Sequence, residues 1–221
     1  MTRSGQGASL TLRWARAAFA LLALSAIAVQ FYESYTVTQF PVVNFFSFFT
    51  IQSNLFAATV LLGGARSGGG SDAWHHIRGA AVLYMSITGV VYGLLLAGYQ
   101  VALQTTIPWV DTVLHRLMPL VLVVDWLVDP PRSKEMTFVH CATRWAVYPL
   151  IYAGWSLLRG TWAHWYPYPF LNPRVVGGYS VVALYCLGIA AGALAFVWLV
   201  AWLGRRCHLE VKEGKASGQG L

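Results

Sequence analysis

The chain of 221 residues is 57% hydrophobic and only 10% charged, with 10 Trp, 11 Tyr and 11 Phe and a formal net charge of +7. Soluble domains carry about 25% charged residues. The composition therefore excludes an ordinary water-soluble domain and predicts an all-α, polytopic membrane protein whose 221 residues form one transmembrane domain. The basic residues are dispersed beside the ends of apolar segments, so the charge is a topology signal and not a nucleic-acid interface.

Six apolar segments approach the ~20 residues that cross a bilayer, at 14–31, 43–62, 77–97, 108–128, 144–158 and 177–203. Backbone in lipid must satisfy its own hydrogen bonds, so each is expected as a helix. The first is announced by Arg3, Arg13 and Arg16. Its basic start, short apolar core and small residues near Ala28 also fit a signal peptide. The apolar run reaches Phe31 without a polar cleavage region, and we expect the helix to be retained.

The second segment carries "SFFTIQSN". Ser47, Thr50 and Asn54 stand at i, i+3 and i+7, which puts them on one helix face. Thr50 lies roughly 10 Å deep at 1.5 Å per residue. "GGARSGGGSD" (63–72) then reads as a flexible linker. The fourth segment, "PWVDTVLHRLMPLVLVVDWLVD", is the least apolar. His115 falls at the depth of Thr50, Asp111 lies four residues before it on the same face, and Pro119 can kink the helix. Asp125 and Asp129 are expected to pair with Arg132 or Arg144. "DPPRSKE" (129–135) ends this helix. The fifth segment contains Pro149, and its outer half holds Tyr152 and Trp155, which are belt or core aromatics or line a lipid pocket. The Trp and Tyr of "TWAHWYPYPFLNP" (161–173) are expected in the aromatic belt. Residues 1–9 and 210–221 are polar and expected to be disordered.

Lys and Arg cluster at the start, around the second and fourth loops and after the last segment, while the first and third loops have none. The positive-inside rule places both termini in the cytoplasm. Cys141, Cys186 and Cys207 then all avoid the outside, and no structural disulfide is expected. His75, His76, His140, Cys141, Cys207 and His208 lie at the inner interface without diagnostic metal spacing, and no metal or cofactor is expected.

Hydroxyl, imidazole and carboxylate at matched depth are the inventory of nucleophile, base and orienter. The candidate catalytic pair is Thr50 and His115, supported by Asp111, Asn54 and Ser47. The plainer alternatives are a Thr50 bonded back to its own helix and a His115 that bridges two helices. Asn54 could donate to an oxyanion or make an interhelical bond. Arg116 could meet a lipid carboxylate or extend outward into headgroups.

"FFTIQSN", "WVDTVLH" and "YPYPFLNP" in a six-span chain resemble the androgen-induced / ADTRP-like membrane protein family, in its bacterial branch. The resemblance covers most of the chain. It implies a threonine hydrolase that cleaves lipid esters, such as fatty acid esters of hydroxy fatty acids, within a bacterial plasma membrane. By the resemblance Thr50 takes the nucleophile position and His115 the base position. The Trp before the His motif corresponds to Trp109, which joins Arg116, Tyr152 and Trp155 as candidate substrate contacts. The family's animal members carry Asn where this chain has Asp111, so the orienter need not be charged. "IQSN" after Thr50 also departs from them, which leaves the substrate open. The expected partner is a membrane lipid. A non-enzymatic lipid-binding or regulatory membrane protein using the same cavity is the alternative, and a small transporter is the third reading.

Overall fold

The computed structural model describes residues 8–66, 71–130 and 136–217. Among these residues every regular element is helical. Helix α1 (Leu10–Thr36) begins where the Ser9 hydroxyl accepts from the Leu12 N–H at 3.2 Å. A short α2 (Val42–Phe45) leads through a turn to α3 (Phe49–Arg66). Helix α4 (Asp72–Val91) begins where the Ser71 hydroxyl accepts from Trp74 N–H at 3.3 Å, and it ends in a π-helical turn, Tyr92–Leu96. Such side-chain caps satisfy donors that have no partner inside the helix.

Next, α5 (Pro108–Thr112), a second π turn (Val113–Leu117) and α6 (Met118–Val128) run on from one another. Then come α7 (Phe138–Trp145), α8 (Val147–Ala163), α9 (Pro173–Val176) and α10 (Tyr179–Ser217).

Among the described residues three helices are long and apolar enough to cross a membrane: Leu10–Thr36, Asp72–Leu96 and Tyr179–Val200. The other expected spans are broken or irregular. Segment 43–62 divides at residues 46–48, where Gln52 Nε2 donates to the Phe46 carbonyl at 2.7 Å and closes the turn. Ser47 therefore lies ahead of α3 and not on its Thr50 face. Segment 144–158 divides at Ala146, and Pro149 falls in the first turn of α8, where its missing N–H costs nothing. Helix α3 extends through Gly63 and Gly64, part of the expected linker. Helix α10 continues through residues 210–217, expected as a disordered tail; Glu, Lys and Ala there are good helix formers. The rest of those expectations, at 1–7, 67–70, 131–135 and 218–221, lies outside the described residues.

The core is a packed bundle in which α1 lies along α3, α3 against α4, and α4 against α6 and α7. Ala20, Ala23 and Ala26 on α1 and Ala57 and Ala58 on α3 are fully buried. Small residues of this kind let helix backbones approach closely. At one end of the bundle Arg16 of α1 and Arg78 of α4 converge on Asp125 and Asp129. Arg16 lies 2.5 Å from Asp125 and 2.7 Å from Asp129, and Arg78 lies 3.0 Å and 3.3 Å from the same carboxylates. These partners are distant in sequence from the two carboxylates, and Arg132, one of the expected partners, lies outside the described residues. Arg13 adds bonds to the Ala65 and Arg66 carbonyls at 2.6 and 3.1 Å, closing the end of α3. Only 11% of the apolar window of α10 is buried. A helix apolar on its outward face as well fits a lipid environment.

Candidate functional site

Thr50 is the second residue of α3 and is buried. Thr59, Thr88, Thr112 and Thr143 each spend the hydroxyl proton on the carbonyl four residues earlier, at 2.8 to 3.0 Å. Thr50 does not. Its Oγ1 lies 3.5 Å from the Tyr168 hydroxyl, and its N–H donates to that same oxygen at 3.2 Å. Phe49 N–H donates to the Tyr152 hydroxyl at 3.2 Å, and Tyr152 O–H donates to the Ser47 carbonyl at 2.9 Å. Two tyrosines thus cap the start of α3.

Tyr168 comes from the segment between α8 and α9. This segment folds inward: Tyr168, Phe170 and Leu171 are buried, with Tyr168 stacked on Phe170 at 5.3 Å. The Tyr166 ring lies where a Cβ on Gly160 would meet it at 2.0 Å, which holds the segment against α8. The expected aromatic belt is therefore corrected here: Tyr168 is a core residue of the site. Burial raises the Tyr168 phenol above its ordinary value, so it remains a neutral O–H donor.

His115 sits in the second π turn, 2% exposed. Its Nδ1 lies 3.1 Å from Asp111 Oδ1 and 3.3 Å from the Asp111 carbonyl. An Nδ1–H facing those two oxygens leaves Nε2 as the basic nitrogen. Tyr92, in the first π turn, stacks on the imidazole at 4.1 Å and 15°, and donates its O–H to Asp111 Oδ2 at 2.5 Å. Gln100 donates to the Tyr92 hydroxyl at 3.2 Å. The exposed Arg116 lies 4.0 Å from Asp111 Oδ2, with its guanidinium 5.6 Å from the Tyr92 ring centroid.

Asn54 joins the two halves. Its Nδ2 donates to the Thr50 carbonyl at 2.9 Å and to the Leu114 carbonyl at 3.1 Å. The π-register partner of the Leu114 carbonyl would be Pro119, which has no N–H. Both Asn54 donors are thereby used on backbone, so the residue locks α3 to the π turn and is not an oxyanion donor.

Thr50 faces two cavities. With Tyr152, Tyr168 and Cys186 it lines an apolar cavity of about 150 Å³ between α3, α4, α8 and α10. Ile87, Val91, Ile189 and Ala193 of that cavity also line an apolar groove of about 560 Å³ between α4 and α10. On its other side Thr50 lines a second, small cavity with His115, Gln30 and Thr105. Thr50 and His115 thus share a cavity without being hydrogen-bonded to one another.

The remaining candidates divide. Tyr152 lines the apolar cavity. Ser47 bonds its hydroxyl to the Val43 carbonyl at 2.6 Å and reaches the site only through its own carbonyl. Trp109 and Trp155 are exposed, and Trp155 packs edge-on against Trp162 at 5.9 Å, away from both cavities. Sequence reasoning missed Tyr92, Gln100, Tyr168, Gln30 and Thr105. Gln30 was detectable as an amide inside an apolar run, and Tyr168 as a residue held between two prolines. Among the described residues no three His, Cys, Asp or Glu side chains gather as a metal site. The chain matches no protein-family model, no curated protein and no solved structure.

Proposed function

We propose that this protein is an intramembrane hydrolase of lipid esters with Thr50 as nucleophile and His115 as general base. The observation that carries the reading is the position of Thr50, whose hydroxyl, unlike those of Thr59, Thr88, Thr112 and Thr143, is not bonded back to its helix and lies between an apolar cavity and the small cavity shared with His115. In this reading the six apolar segments span a bacterial plasma membrane, with both termini in the cytoplasm and the site in the outer half. The resemblance carried by "FFTIQSN" and "WVDTVLH" supports the same pair.

The acyl chain lies in the apolar cavity and the ester carbonyl beside Thr50. His115 Nε2 takes the Thr50 Oγ proton as Oγ attacks, and returns it to the departing alkoxide as the C–O bond breaks. Asp111 and Tyr92 hold the imidazole. The Tyr168 O–H and the positive end of α3 face the oxygen on which negative charge develops. The Thr50–His115 hydrogen bond forms in the substrate complex, since catalytic hydrogen bonds tighten on binding.

The test is hydrolysis of a fatty acid ester of a hydroxy fatty acid by purified wild type, Thr50→Ala and His115→Ala in detergent. Wild type turns over, and each variant loses at least ~10²-fold while remaining folded. Undiminished turnover in either variant would refute the pair. The lipid-binding reading is favoured by one observation, the pairing of Thr50 Oγ1 with Tyr168 instead of His115. It predicts a wild type that copurifies with lipid, hydrolyses no ester on a broad panel and does not label with a fluorophosphonate.

A further inference from the structure

The small cavity beside Thr50 is lined by Gln30, Thr50, Thr105 and His115 and by the apolar Phe45, Phe48, Ile51 and Leu103. It offers about 10 Å³ to the centre of a water molecule, the room of roughly one water. That is too small for any part of a lipid, and four polar side chains meet there within an otherwise apolar wall.

Two of its polar side-chain atoms, Gln30 Oε1 and Thr105 Oγ1, have no hydrogen-bond partner in the protein. Gln30 is 1% exposed, deep on α1. Its Nε2 is directed to the Ser34 hydroxyl at 3.5 Å, and its Oε1 has no protein partner. Thr105 Oγ1 is buried beside the Asp111 carboxylate without a well-formed hydrogen bond. A buried amide oxygen left without a donor loses the hydration it had in the unfolded chain and is destabilising. An amide retained there in an otherwise apolar stretch of α1 calls for a donor from the cavity.

We propose that this cavity is the site of the hydrolytic water, and that Gln30 is a positioning residue for deacylation. The proposal rests on the hydrolase reading above. The water donates one hydrogen to Gln30 Oε1 and the other to His115 Nε2, and accepts from Thr105 O–H. Once Thr50 carries the acyl group, His115 Nε2 takes a proton from the water as its oxygen bonds to the acyl carbon. The tetrahedral adduct then expels Thr50 Oγ, which recovers the proton from His115, and a carboxylic acid leaves. Acylation does not need Gln30, since the first proton passes directly from Thr50 to His115. The two half-reactions therefore depend differently on one residue.

Gln30→Met keeps the side-chain length and removes the acceptor. Thr105→Val, which keeps shape and loses the hydroxyl, serves as the second variant if the first does not fold. Three quantities are read on full-length protein in detergent: ester turnover, fluorophosphonate labelling rate, and intact mass during turnover. The expected result is wild-type labelling, a stoichiometric burst of released alcohol, turnover reduced at least ~10-fold, and an acyl adduct on Thr50 that wild type does not accumulate. A variant that loses labelling and turnover together, or neither, overturns the role of Gln30 and leaves the hydrolase reading intact. A wild type that neither labels nor turns over removes both.

Discussion

At the residue scale the site depends on which hydroxyl protons are committed. Tyr168 is uncharged, buried and directed at Thr50 through both the backbone N–H and Oγ1. Replacement by Phe keeps the stacking on Phe170 and removes the donor. In the proposed hydrolase reading Tyr168 faces the oxyanion; loss of one such donor costs about 10²–10³ in kcat, so Tyr168→Phe is expected to lower kcat in that range with a small change in KM. A fall in KM alone would place Tyr168 in capping and not in catalysis. The pH sign follows from burial: the folded pKa lies above the ordinary value of about 10, so the donor stays protonated through that pH. A falling activity limb near pH 10 that disappears in Tyr168→Phe would contradict this. The Asp111–His115 pair was readable from spacing, because four residues along a helix fix a neighbour locally. Tyr168 was not, since its place depends on a loop returning across more than a hundred residues. Amphipathic Tyr in a loop beside a span reads first as an interface residue.

At the element scale the same distinction separates what periodicity conveys from what helix order conveys. Helix α6 carries Asp125 near its end, and the reading along the chain pairs it with the nearest basic residues. In the bundle α6 lies against α4 and close to α1, so the partners become Arg16 and Arg78. Arg16 is 4% exposed, and the Asp125 side chain only 10%, so the pair is desolvated and not a surface contact. Removing one partner of a buried pair costs about 3–5 kcal/mol because the other charge is stranded. Asp125→Ala is expected to lower the thermal unfolding midpoint in detergent. Arg16→Met in the same background restores part of the loss, because the uncompensated cation is gone. Additive losses in the double variant would show that the two groups do not interact. The broken second and fifth segments have a related cause. Composition marks which residues enter lipid, while the turn at 46–48 is set by Gln52 reaching the Phe46 carbonyl, a contact that hydropathy does not register.

At the scale of the whole molecule the proposed hydrolase reading raises the question of how a lipid reaches a buried threonine. The apolar cavity beside Thr50 shares Ile87, Val91, Ile189 and Ala193 with the groove between α4 and α10. Val90, Leu94 and Leu184 on the rim of that groove are exposed, and in a membrane they face acyl chains. A substrate can then enter sideways from the bilayer, with its chain in the groove and its ester at Thr50. Gly188 and Gly192 line the groove, and a Cβ at either position meets no atom within 4 Å. A side chain at these positions therefore leaves the helix into open groove. Each buried methylene contributes about 0.8 kcal/mol, so a groove that holds several carbons discriminates strongly by chain length. Gly188→Leu and Gly192→Leu are expected to lower kcat/KM at least ~10-fold for long-chain esters and to leave short-chain esters, which need only the inner cavity, unchanged. Equal losses on both would mean that the substitutions disturb the site itself. No loss on either would mean that the acyl chain reaches Thr50 by another route.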